Sequence, residues 1–153
     1  METDSAHWVT TLEELLCEIV ASKEAYEEMS LTEELERKRI FFMQQAAQRK
    51  EFEKNLREEI VAVKEGGVYK LKKDSPCIYD GVAATVGSRN LTAIEVDRLI
   101  LQREKDLIKK YQEVLNHKNI PDTTSAILQA QAEDINDIIQ KLTLDLNLEE
   151  NNF

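Results

Sequence analysis

Four charged or polar residues fall where a helical reading of this chain puts its interior: Lys23, Arg49, Glu104 and Gln131, with the phenols of Tyr26 and Tyr111 close by. Each sits among apolar residues at helical spacing rather than on a charged face. The chemistry open to such a set is the pairing of one buried charge with another. A guanidinium carried into an apolar interior demands an anion, because an unpaired buried charge is costly. Counted from the helix ends, Arg49, Glu104 and Gln131 come out at similar heights if the second and third helices run parallel; the height of Lys23 is set less closely. The spacing therefore predicts an Arg49–Glu104 ion pair, with Gln131 satisfying leftover hydrogen-bond groups and the two tyrosine hydroxyls completing the network. Such a pair would fix helix register more than it would add stability. A pocket for an anion or small molecule and a remnant metal site are the alternatives.

The elements that must hold these residues are legible from apolar periodicity. A first helix is predicted over about 10–29, through Leu12, Leu15, Leu16, Ile19, Tyr26 and Met29. Thr32 offers an N-cap ahead of an acidic first turn. A long second helix then runs over about 33–63, through Leu35, Phe42, Phe52, Leu56 and Ile60, and Gly66-Gly67 stops it. Residues 64–90 carry Gly, Pro and Asp-Gly signals with no long period, and they are too many for a tight helix–helix turn. They are predicted to cross the whole length of a bundle, with room for a short helical turn near Gly81 to Val86. Thr92, or Asn90 before it, caps a third helix over about 91–116, whose apolar face is Ile100, Leu107, Ile108, Tyr111 and Leu115. After a short break with Pro121, a fourth helix is predicted over about 122–145, through Leu128, Ile135, Ile138, Ile139 and Leu142. The last residues, about 146–153, read as a frayed acidic tail.

Composition agrees with one all-α domain. The 153 residues are 42% hydrophobic and 33% charged, with only four glycines and two prolines to interrupt helices. A formal net charge of -10 repels nucleic acid phosphates and anionic lipid alike. No apolar run is long enough to span a bilayer. The N-terminal METDSAHWVT lacks the basic segment and apolar core of a signal peptide, so a cytoplasmic protein is expected. Cys17 and Cys77 suggest neither a disulfide framework nor a metal knuckle, and read as two structural thiols with no support for a redox pair.

The segments LEELLCEIVASKEAYEEM, QQAAQRKEFEKNLREEI, LILQREKDLIKKYQEVL and ILQAQAEDINDIIQKL, in this order and at these separations, resemble the ferritin-like superfamily. The closer resemblance is to small bacterial ferritin-like four-helix proteins. It implies a bundle of two antiparallel helix pairs joined by the long crossover. Metal-binding members carry an inward Glu on the first and third helices and Glu-x-x-His on the second and fourth. Here Glu104, seven residues before Tyr111, matches one ligand position. The equivalent place on the first helix is Ile19. The counterparts of the two motifs are Gln48-x-x-Glu51 and Glu133-x-x-Asn136, and the two histidines, His7 and His117, fall outside the predicted helices. By helical phase Glu51 and Glu133 point to solvent.

The functional expectation is a non-catalytic ferritin-like bundle without metal or cofactor. It would have a structural, binding or stress-related role and act as a homodimer or through a protein partner, with Phe41, Ile40 and Met43 as interface candidates. The competing expectation is a di-iron or manganese oxidase or storage protein. No Gly-flanked serine, Cys–His pair or phosphate loop points to a hydrolase.

Overall fold

The computed structural model describes residues 2–63, 76–88 and 91–150, except for the side chains of 2–7, 33–34 and 149–150. Among these residues the chain is all-helical: α1 (Glu2–Ser30), a 3-10 segment (Glu33–Lys38), α2 (Arg39–Val63), a short α3 (Val82–Ser88), α4 (Ala93–Leu115) and α5 (Asp122–Glu150). Five helices thus stand where four were predicted, the extra one being the short turn expected in the crossover. Gly66-Gly67 and Asn90 lie outside the described residues.

Helices α1 and α2 pair antiparallel: Tyr26 packs on Phe42 and, earlier on α1 but later on α2, Lys23 meets Glu53. Helices α4 and α5 do the same across the Asn116–Pro121 turn, joined by Tyr111 and Gln131. The first pair lies against the second so that α2 runs parallel to α4: Lys38 meets Asp97 and, further along both, Arg49 meets Glu104. α2 therefore ends at one end of the molecule and α4 begins at the other; of the predicted crossover, residues 64–75 and 89–90 lie outside the described residues.

The predicted boundaries shift in three places. Helix α1 begins at Glu2 rather than near residue 10, because Trp8 continues the apolar stripe of Leu12 and Leu15 and is buried with them. The predicted start of the second helix is a 3-10 segment in which Leu35 leaves helical geometry (φ -110, ψ 27) to bury its side chain. Thr32 does not cap it; its hydroxyl donates instead to the Glu28 carbonyl at 3.3 Å. The residues read as a frayed tail are helical to Glu150, held by buried Leu146 one turn beyond Leu142. Thr92 behaves as predicted and closes a capping box: its Oγ1 accepts from Glu95 N at 3.1 Å, and the Glu95 carboxylate accepts from Thr92 N at 3.0 Å.

The core divides into two apolar clusters. One, toward the start of α1, gathers Trp8, Leu12, Leu16, Leu56, Ile60, Leu107 and Leu128. The other, toward the end of α1, is built on Tyr26, Met29, Phe42, Tyr79, Ile100 and Leu142. The second includes the crossover. A turn at Cys77–Asp80 has Asp80 N bonded to the Cys77 carbonyl at 3.1 Å and Cys77 N bonded to Asp80 Oδ2 at 2.8 Å. Gly81, at φ 75, then reverses the backbone into α3, a left-handed conformation that costs a residue without a Cβ little.

Candidate functional site

Between the two clusters lies a charged pair shut off from solvent. Arg49 and Glu104 are each 0% exposed. Arg49 Nη2 donates to Glu104 Oε1, and Nη1 donates to Oε2 at 3.2 Å, the fork-on-fork geometry in which a guanidinium binds a carboxylate most strongly. Helix phase explains the meeting. Arg49 follows Phe42 and Gln45 on the buried stripe of α2, and Glu104 stands between Ile100 and Leu107 on α4.

The rest of the network comes mainly from residues that periodicity does not single out. Tyr79, in the crossover turn, donates to Glu104 Oε2 at 2.5 Å. A phenol has one proton, so the 2.9 Å contact between the Tyr79 and Tyr26 hydroxyls has Tyr26 as donor. Ser22 on α1 accepts from Arg49 Nη1 at 3.5 Å and donates its own proton to the Ile19 carbonyl at 2.8 Å. The guanidinium carbon lies over two aromatic rings, 5.5 Å from the Tyr26 centroid and 6.0 Å from that of Phe52, within cation–π range. Arg49 Nε has no hydrogen-bond partner among the described residues.

Electrostatics follows from burial and from the pair. Burial is the largest single influence on Arg49 and lowers its pKa, but the Glu104 charge, Tyr26, Tyr79 and the hydrogen bond to Glu104 together outweigh it and hold the guanidinium protonated beyond its ordinary range. Burial pushes the phenols of Tyr26 and Tyr79 well above their usual value, and the Glu104 charge pushes the same way. Tyr111 is raised too, by burial first. All three are neutral hydrogen-bond donors through the physiological range.

Gln131 and Tyr111 are buried nearby but form their own pair, with the Tyr111 hydroxyl donating to Gln131 Oε1 at 2.7 Å. The expected role of Gln131 as a partner of the ion pair is thus corrected: its amide reaches Tyr111 instead, and its Nε2 has no partner among the described residues. Lys23 is also corrected. It lies at the edge of the α1–α2 seam, 20% exposed, and pairs at 2.7 Å with Glu53, which Arg57 holds from its own helix at 2.8 Å. Burial works against the Glu53 charge, and these two cations more than offset it, lowering its pKa. Ser22, one residue before Lys23, is what faces Arg49; one position is roughly 100° of helix. A further buried acid, Asp97, pairs with Lys38 near the start of α4. Phe41 is not a surface candidate, since it packs half-buried against Tyr26, edge to face at 6.2 Å.

The residues present do not fit a di-metal centre. A cationic guanidinium engages both oxygens of the Glu104 carboxylate, and Tyr79 shares one of them. Glu51, Glu133 and Asn136 are exposed and Ile19 is core. His117 contacts Thr11 at 3.2 Å near one end of the molecule, far along α4 from Glu104, and the side chain of His7 lies outside the described residues. Among the described residues, no group of three or more His, Cys, Asp or Glu is placed to hold a metal ion, and no helix is long and apolar enough to cross a membrane.

No known family model, curated protein or solved structure matches this chain.

Proposed function

We propose that this chain is a non-catalytic helical bundle of ferritin-like architecture, in which the Arg49–Glu104 pair stands where metal-binding relatives would hold two ions. We read its role as structural, binding or stress-related, carried out in the cytoplasm through contacts with a second copy of itself. What carries the reading is the guanidinium. It is clamped to the Glu104 carboxylate and lies against two aromatic rings at the level a metal pair would need. A cation fixed there opposes a second cation both by charge and by volume. The helix order supports the architecture: two antiparallel pairs, with α2 parallel to α4.

Support for self-association comes from one end of the molecule. Leu31, Ile40, Met43, Leu144 and Leu148 are each more than half exposed. All five belong near the end where α1 and α5 finish and α2 begins, since Ile138 and Leu142 share a cluster with Met29 and Leu35. Exposed large apolar side chains gathered in this way mark a contact surface.

Metal analysis tests the proposal. After growth with added iron and manganese and dialysis, the purified protein is expected to hold less than about one ion per ten chains, because no preformed ligand set exists to retain one. Two ions per chain surviving dialysis would overturn it.

A further inference from the structure

Cys17 and Cys77 stand 60 positions apart and nothing in the sequence joins them, but the fold brings the Cys77 sulfur onto the backbone of Cys17. Cys17, Ala21, Glu24 and Glu28 follow one another at helical spacing along one stripe of α1. The last three form one wall of an open cleft whose other wall is crossover, from Tyr79 to Ala84. Cys17 is the next step along the same stripe, so its side chain is turned toward the crossover. Cys77 Sγ lies 3.9 Å from the Cys17 carbonyl oxygen, and the following residue, Ile78, donates its N–H to the Glu18 carboxylate at 2.8 Å. Adjacent residues of the two segments are thus held side by side. Both residues are partly exposed, neither being sealed in the core.

We propose that Cys17 and Cys77 are a thiol-oxidation site that reacts with a low-molecular-weight disulfide to bond α1 to the crossover turn. The thiolate of one cysteine attacks a sulfur of the reagent. The reagent's S–S bond breaks, and one small thiolate leaves and takes up a proton. The second cysteine, deprotonated in turn, attacks the protein sulfur of the mixed disulfide and expels the other small thiol. Two protein thiols and one small disulfide become one protein disulfide and two small thiols. The bond fixes the turn that carries Tyr79, and so closes the crossover over the buried pair. It does not depend on how the centre of the core is interpreted.

The full chain incubated with excess oxidised glutathione, then alkylated and mapped by mass spectrometry, tests this. The expected product is a monomer lighter by two hydrogen atoms, with the Cys17 and Cys77 peptides joined and neither thiol alkylated until reductant is added. Closing a loop of about 60 residues is expected to raise Tm by roughly 5–10 °C. Cys17→Ser and Cys77→Ser should each abolish both effects. Glutathione retained on either cysteine as the end product, a chain-to-chain disulfide, or no reaction would overturn the proposal. A closed bond that lowers Tm would overturn it as well, since the thiols would then have to leave their folded positions to meet.

Discussion

Arg49–Glu104 and Tyr111–Gln131 are both buried, both join two helices, and both lie in the middle of the core, but their surroundings differ. The charged pair has recruited a third helix through Ser22 and Tyr26 and the crossover through Tyr79. The neutral pair has a single hydrogen bond, and the amide nitrogen of Gln131 has no partner among the described residues. The difference follows from what each group loses on leaving water. An ion left with open hydrogen-bond positions costs several kcal/mol, an amide or phenol about 1–3. Partners therefore gather more densely around the charge, although Arg49 Nε, like Gln131 Nε2, has none among the described residues.

Substitutions sharpen this contrast. Arg49→Leu should destabilise the protein by about 3–5 kcal/mol in urea unfolding, because Glu104 is stranded. Removing Glu104 as well does not undo the damage, since Tyr79 loses its acceptor. The triple variant Arg49→Leu, Glu104→Leu, Tyr79→Phe is expected to return to within about 2 kcal/mol of the parent. A single-variant loss below about 1 kcal/mol would mean that the pair behaves as an exposed one.

The second comparison uses alkali. Tyr26, Tyr79 and Tyr111 have folded-state pKa values above the unfolded value near 10. Their contribution is complete below that unfolded value. Above it the unfolded chain sheds protons that the folded chain keeps, so stability falls as pH rises. Each phenol adds about 1.4 kcal/mol of loss per pH unit. Unfolding curves should be flat up to about pH 9.5 and then fall steeply, with Tyr26→Phe and Tyr111→Phe each making the fall shallower. Equal slopes in parent and variants would show that the phenols titrate freely in the fold.

The smallest effect belongs to the neutral pair. The double variant Tyr111→Phe, Gln131→Met removes donor and acceptor together and should lie within about 1 kcal/mol of the parent. A loss as large as that of Arg49→Leu would erase the distinction between the two pairs.

How much of this could be read from the sequence depended on whether a residue obeys a period. Arg49 and Glu104 interrupt apolar stripes on long helices, so phase and height alone bring them together. Tyr79 lies in a crossover without periodicity, and its direction is set by contacts made elsewhere, Glu18 on the Ile78 amide and Asp80 on the Cys77 amide. The only local signal was an aromatic ahead of Asp-Gly. Ser22 was invisible for a different reason: a small hydroxyl on a helix satisfies itself on the preceding turn and leaves no mark of its purpose. Helices α1 and α5 both run past the bounds predicted for them, because one well-placed apolar residue near each end holds the helix: Trp8 at the start of α1, and Leu146 where an acidic tail was expected to fray. The two cysteines show the limit plainly, since closeness across 60 positions is a property of the fold alone.

The donor–acceptor chain has a closed form. It starts at Tyr26 on α1, passes through Tyr79 in the crossover to Glu104 on α4, takes in Arg49 on α2, and returns through Ser22 to α1, one helical turn from where it began. It is a belt that threads four segments once each and leaves α5 outside. Local opening of α5 leaves that belt fastened, whereas opening of α1, α2, α4 or the crossover turn must unfasten it. The molecule is therefore mechanically uneven, with one long helix held by apolar packing and by Gln131 and Thr124, outside the belt that buckles the other three.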